Sequence, residues 1–344
     1  MTSSKSLSMQ PSHDSMPKLF YKSQFHAKPV QPPKDTNLFG QVAIVTGAST
    51  GLGFHSCRQL LFLKLPHLII AVRSAKKGED AASKLRTEYP GAKIEVWMLE
   101  MSSYASIQDF ARRVEKDLTR LDVAILNAGI VKQDYSVVES TGNEEVLQVN
   151  YLSTVLLSIL LLPALKTKSP PSLPGRLTIV GSGVALFAKF PNRNEVPLLK
   201  SFNTNAKWDP SERYWVSKLL LHYFLAKLVN FVNAKDVMVN VIDPGLCKGS
   251  GLNRDTTGAP AVVMAIMKRV AGRTLELGAS TYIDAAVTKG WESHGCFVSD
   301  WGISPFAALV TAPDGGTVGQ RLWDETMKEL EFAGPLKVLE SLKY

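Results

Sequence analysis

Cysteine is scarce in this 344-residue chain. Cys57, Cys247 and Cys296 are odd in number and lack metal-ligand spacing, which excludes a disulfide framework and a zinc site and makes a cytoplasmic, reducing location the expected one. No apolar run reaches the roughly 20 residues that span a bilayer. The longest, Tyr151 to Leu165, is broken by Ser153, Thr154, Ser158 and Pro163, so it reads as a buried helix and no integral membrane span is expected. Residues 1–33 have no apolar core behind a charged start, and no secretory signal is expected. A clustered basic stripe is also missing. The 39 Lys and Arg outnumber the 31 Asp and Glu by 8, but the excess is spread along the chain and carries no nucleic-acid signature.

What is present is the composition of a globular α/β protein, 45% hydrophobic and 20% charged. Residues 1–37, rich in Ser, Pro and Lys with an aromatic patch at Phe20, Tyr21 and Phe25, read as a flexible extension with room for one docked helix. From Gln41 short β-branched runs alternate with longer amphipathic stretches, the pattern of βαβ units. Seven strands are predicted: 42–46, 67–72, 93–99, 123–126, 176–180, 237–242 and 296–299. The helices fall at 51–62, 76–89, 104–118, 143–165, 211–233 and 277–289. The expectation is one doubly wound Rossmann sheet, seven-stranded and parallel, with helices on both faces, spanning 38–303. Two irregular stretches after strand ends, 183–210 and 249–273, read as substrate lids, and 304–344 as a C-terminal loop and helix.

The first strand runs into Thr46-Gly47-Ala48-Ser49-Thr50-Gly51-Leu52-Gly53 and then a helix. Glycines allow a tight turn and close approach of backbone to a pyrophosphate, whose charge the free N–H groups and dipole of the helix start would meet. The second strand ends without the acidic residue that would bind a ribose 2′-hydroxyl. It carries Arg73 instead, followed by Lys76 and Lys77, so a 2′-phosphate and therefore NADP(H) is preferred. Further on, Tyr214 and Lys218 stand four apart on one helical face, where the ammonium would favour a phenolate and lower the tyrosine pKa.

In their order these motifs resemble the short-chain dehydrogenase/reductase family, in its shorter branch, over about Leu38 to Asp300. The family's glycine motif matches Thr46 to Gly53, its Asn-Ala-Gly matches Asn127, Ala128 and Gly129, and its helix asparagine matches Asn150. The serine matches Ser182, the tyrosine and lysine match Tyr214 and Lys218, and the Pro-Gly matches Pro244 and Gly245. The resemblance implies proton donation by Tyr214, an oxygen-holding Ser182, a Lys218 that contacts the nicotinamide ribose, and an Asn150 that holds a water linking Lys218 to solvent.

Three features depart from the family pattern. The interval of 32 from Ser182 to Tyr214 is long and implies an insertion, whose Phe187, Phe190, Phe202 and Trp208 either line an apolar pocket or anchor the loop. Glu100 stands where an aspartate usually lies near the adenine. The threonine after Pro-Gly is absent, with Ser250 a candidate substitute. Cys247 is assigned no chemistry, and His55, His67, His222 and His294 have no ligand spacing, so no metal is expected.

The N-terminal Phe20 to Phe25 and Arg273-Thr274 resemble reductases of fungal secondary metabolism. An NADPH-dependent carbonyl reductase or alcohol dehydrogenase acting on a small apolar ketone or aldehyde, of polyketide or terpenoid type, is the leading expectation. The alternative is a catalytically silent NADP-binding scaffold or redox sensor. By the resemblance, helix 143–165 and the Tyr214 helix would build a homodimer or homotetramer through a four-helix arrangement. The run 261–269 fits an amphipathic lid, with peripheral membrane contact as the alternative.

Overall fold

A computed structural model describes residues 4–206, 208–253 and 257–342. The few remaining positions of the expected extension, lids and C-terminal segment lie outside the described residues. The strands are β1 (Val42–Thr46), β2 (His67–Val72), β3 (Lys93–Met98), β4 (Val123–Leu126), β5 (Gly175–Val180), β6 (Val237–Asp243), β7 (Cys296–Ser299) and β8 (Gly302–Ser304). They form one sheet in the order β3-β2-β1-β4-β5-β6-β7-β8. β1 to β7 pair in parallel and β8 returns antiparallel to β7. The sheet therefore has eight strands where seven were expected: β8 is three residues long, too short for a period-2 pattern to mark it.

Every residue of β1 and β4 is buried, as a sheet covered on both faces requires. Alternate residues divide between two cores. Ile44, Ile69 and Ala124 point into one, and Ala43, Leu68 and Val123 into the other. The helices that cover them are α1 (Gly51–Phe62), α2 (Ala75–Glu88), α3 (Tyr104–Asp117), α4 (Glu145–Thr167), α5 (Pro210–Leu228), α7 (Leu275–Ile283), α8 (Gly315–Glu329) and α9 (Pro335–Ser341), while α6 (Gly258–Ala271) lies outside both cores. Strand order reverses between β1 and β4, so a crevice opens beyond their carboxyl ends.

Helix α4 has the length that the sequence suggested, shifted two residues along the chain. An 18-residue stretch of its 23 residues has a mean hydropathy of 1.8, enough in length and composition to cross a bilayer, yet 89% of that stretch is buried within the fold. It passes through a π-turn at Gln148–Leu152, and the Glu144 carboxylate caps it by accepting from Val146 and Leu147 N–H at 2.8 and 2.9 Å. The pair α4 and α5, expected to meet a second subunit, is covered by the C-terminal segment of its own chain. Trp323 of α8 stacks on Phe224 and Phe231, Thr326 shares a 2.9 Å hydrogen bond with Tyr151, and α9 packs on α4.

The N-terminal stretch, expected to be flexible with room for one docked helix, carries docked structure. Ser6 donates to the Ser304 carbonyl and accepts from Phe297 N–H, and Ser4 donates to the Gly295 carbonyl. A helix at Met16–Tyr21 continues through a π-turn at Lys22–His26.

Candidate active site

A cavity of about 1330 Å³ opens at the carboxyl ends of the strands. That is room for a dinucleotide and a further small molecule. The glycine turn forms its floor. Gly47 and Gly51 adopt φ of +64° and +62°, values that side chains disfavour. A Cβ on Gly53 would stand 2.6 Å from Asn127 Nδ2 and 2.9 Å from the Gly47 carbonyl, whereas none of the surrounding atoms lies within 4 Å of one on Gly51. So Gly53 serves internal packing and Gly51 leaves space for a ligand. Thr50 caps α1 without a side-chain bond, which leaves first-turn N–H groups for an anion.

Asn127 ties this turn to β4. Its amide donates to the carbonyls of Thr46 and Gly47 at 2.9 and 3.2 Å and accepts from Tyr282 at 2.9 Å. Ala128 N–H donates to the Thr46 hydroxyl. Arg73, exposed at the end of β2, lines the cavity together with Ser49, Leu52, Lys77 and Lys84. Glu100 lines it too, but one carboxylate oxygen is already engaged by the N–H and hydroxyl of Ser102.

Helix α5 starts where Pro210 fixes the backbone and Asp209 accepts from Ser211 and Glu212 N–H. That start sets Tyr214 in the second turn, with Lys218 one turn on. Ser182, which follows β5 in extended conformation, lines the cavity beside Tyr214 and acts on its hydroxyl. Lys218 Nζ lies 5.9 Å from the phenol ring centre and donates to the Val180 carbonyl at 2.8 Å. Burial lowers the Lys218 ammonium to about 8.

The expected lowering of the tyrosine is not what the site produces. Tyr214 keeps some surface open to the cavity, but desolvation of its hydroxyl drives the phenol well above its usual range. The nearby Ser182 hydroxyl opposes this, and the charge of Asp243 adds to it. The phenol therefore holds its proton in this pocket.

Asn150 sits on the π-turn of α4, buried. It accepts from Ile130 N–H at 2.8 Å and donates to the Ile130 carbonyl at 2.9 Å and to the Ser217 hydroxyl at 3.0 Å. It thus clamps the end of β4 to α5. A Cβ on Gly129 would lie 3.2 Å from Asn150 Oδ1 and 3.5 Å from Lys218 Nζ, so both polar groups face that glycine. Pro244 and Gly245 follow β6, with Gly245 at φ +72°. Ser250 lines the cavity, donates to the Cys247 carbonyl and accepts from Lys268. Cys247 is buried, its thiol pushed up to about 12 by desolvation, which leaves it unreactive.

Of the insertion aromatics, Phe187 lines the cavity. Phe190 and Phe202 are core residues in ring contact, and Trp208 packs on Tyr135 while donating to the Gln133 carbonyl. The insertion is anchored along most of its length. Glu325 accepts from Leu198 and Leu199 N–H, and Glu212 from Lys189 and Phe190 N–H. In the second lid α6 turns Met264, Met267 and Lys268 to the cavity and leaves Val262, Val263, Ile266 and Val270 exposed.

Two cavity residues, Asp243 and Tyr282, and Arg273 behind the Pro244-Gly245 loop were given no site role by the motif reading. Asp243 is buried beside Tyr214, its carboxyl pushed up by burial and eased by Gly183 and Gly245 N–H. A carboxylate ending the apolar run 237–242 was the available signal. Tyr282 is wholly buried behind Asn127. Arg273, also buried, donates to the Pro244 carbonyl at 3.0 Å and pairs with Asp300, and its Nη1 would lie 2.7 Å from a Cβ on Gly245.

Comparison with known proteins gives the site a family. The short chain dehydrogenase family description matches residues 41–192. The short chain dehydrogenase/reductase mfmJ of Annulohypoxylon moriforme is 55% identical over 327 residues, 95% of each chain. The chain belongs to the short-chain dehydrogenase/reductase family. This short-chain dehydrogenase/reductase is thus an oxidoreductase, and it is also 45% identical to the short chain dehydrogenase virL of Hypocrea virens over 92% of each chain. Its fold is shared with a short chain dehydrogenase of Shigella flexneri 2a str. 301 complexed with NADP, at 21% identity and a TM-score of 0.52, covering 77% of this chain and 98% of that one.

Proposed function

We propose that the protein is an NADPH-dependent carbonyl reductase acting on an apolar ketone or aldehyde, an intermediate of polyketide or terpenoid type. The observation that carries this reading is the juxtaposition of Ser182 and Tyr214, with Lys218 behind them, in the wall of the cavity whose floor is the glycine turn. The open side of Gly51 and the unclaimed start of α1 fit a pyrophosphate, and exposed Arg73 and Lys77 fit a 2′-phosphate. When bound there, the nicotinamide supplies a hydride to the carbonyl carbon. Ser182 holds the carbonyl oxygen. Tyr214, kept protonated by burial, gives that oxygen its proton, and the Lys218 ammonium, fixed by the Val180 carbonyl, stabilises the phenolate left behind. Asn150 keeps β4 and α5 in register so that these groups stay aligned. The apolar lining from Ile130, Val149, Leu186, Phe187 and Trp215 suits a substrate with little charge.

The working unit in this reading is the single chain, because α8 and α9 occupy the helix faces through which a homodimer or homotetramer was expected.

The deciding experiment is Tyr214→Phe, read by NADPH oxidation over a panel of apolar ketones and aldehydes and by fluorescence titration with NADPH and NADH. Turnover should fall by roughly 10²- to 10⁴-fold, with NADPH still bound more tightly than NADH. Turnover retained in the phenylalanine variant removes the proton-donor assignment.

A further inference from the structure

The helix at Met16–Tyr21 and its continuation at Lys22–His26 place Met16, Leu19, Phe20, Ser23 and Gln24 along one stripe, at the i, i+3, i+4, i+7, i+8 spacing of a helix face. All five line the cavity that holds Tyr214. An apolar stripe of this kind ordinarily packs into a core, yet Met16, Leu19 and Phe20 belong to neither of the two cores. Their apolar face looks onto open cavity. The opposite face carries Lys18 and Lys22, both paired with Asp14, and exposed Tyr21 and Phe25.

The last turn fastens this helix to the catalytic domain. Arg273 donates to the Ser23 carbonyl at 2.8 Å, and Ser23 donates to Asp300 at 2.8 Å. Gln24, with its amide oriented to satisfy both ends, donates to the Ala271 and Leu246 carbonyls at 3.0 and 3.1 Å and accepts from Leu246 N–H at 3.2 Å. The same Arg273 holds Pro244. The helix is therefore registered directly against the loop that follows β6 and against the end of α6, whose Met264 and Met267 line the same space.

We propose that the N-terminal helix is a wall of the substrate compartment, and that Met16, Leu19 and Phe20 set the size of apolar substrate admitted. This assignment rests on the carbonyl-reductase reading of the cavity. It lies outside residues 41–192, the part matched by the family description.

The test pairs Phe20→Ala with Phe20→Trp and follows NADPH oxidation with acetophenone, 2-acetylnaphthalene and 2-acetylanthracene. The alanine variant should raise kcat/KM for the three-ring ketone relative to the one-ring ketone by roughly tenfold, and the tryptophan variant should lower it by a similar factor, with the Kd for NADPH unchanged. An unchanged ratio in both variants overturns the proposal. A second measurement needs no turnover: hydrogen–deuterium exchange over residues 14–27 of the wild-type protein with NADP⁺ and 2-acetylnaphthalene. If the wild-type protein oxidises NADPH with none of the ketones, the reaction assignment fails, but slowed exchange over 14–27 upholds the wall. Exchange unaffected by the ketone in that case overturns the wall as well.

Discussion

Lys218 and Tyr214 are displaced by the same burial in opposite directions, the cation downward and the phenol upward. The lysine is charged below about pH 8 and neutral above it, while the tyrosine keeps its proton through the whole of that range. The high-pH limb of carbonyl reduction therefore belongs to Lys218. In the reductive direction kcat/KM should be level near pH 7 and fall above about pH 8, approaching tenfold per pH unit. Lys218→Arg, which cannot lose its charge there, should move the limb upward. A pH–rate profile of both proteins checks this, and an unchanged limb in the arginine variant assigns it to another group. Much at this scale was legible in advance because family motifs are short and local: the glycine turn, Asn127, Ser182, Tyr214 and Lys218 converge on one cavity. Asp243 and Arg273 were not: the one hint for Asp243 was its place at the end of an apolar run, and Arg273 acts on a backbone carbonyl 29 residues away, which no local pattern announces.

The elements divide by how strongly each is specified by its own residues. β1, β2, β4 and β7, with α1, have the bounds that the β-branched runs and turn residues give. The long insertion between Ser182 and Tyr214 was read as a lid whose aromatics either line a pocket or anchor the loop, and it is tethered to α5 by Glu212 and to α8 by Glu325. Those anchors are long-range, so the Pro- and Asn-containing sequence of the insertion could not reveal them. The helix pairing of α8 with α5 rests on one side chain above others, Trp323, sandwiched by Phe224 and Phe231 with ring centres at 6.1 and 5.3 Å. Trp323→Ala should cost roughly 3 to 5 kcal/mol of stability, the usual loss when a large aromatic leaves a buried site. Urea denaturation followed by circular dichroism measures it, and a loss under about 1 kcal/mol means α8 is held by its other contacts.

For the whole molecule, the C-terminal segment and the sheet together account for the burial of α4 and α5, which would otherwise present an apolar surface far larger than a soluble monomer tolerates. A face already filled from within leaves little for a second subunit. Sedimentation equilibrium should give a mass near 37.7 kDa for the active species, and a stable dimer that still oxidises NADPH would show that a different face pairs. The fold class and parallel order followed from the alternation of strands and helices. The closure of the molecule by its two ends did not, because it depends on contacts between segments hundreds of residues apart.

The attachment of Ser4 and Ser6 to the β7–β8 edge spans 291 residues in the chain. A ribosome releases the N-terminal helix long before it makes the strand edge and the Arg273 loop that receive it, so this segment finds its place only after most of the domain has been made. During synthesis Met16, Leu19 and Phe20 have no cavity to face, and the half-built sheet has no wall on that side. Docking of this segment is then the step that turns an open nucleotide fold into a closed chamber, and for this segment the order of translation runs opposite to the order of assembly.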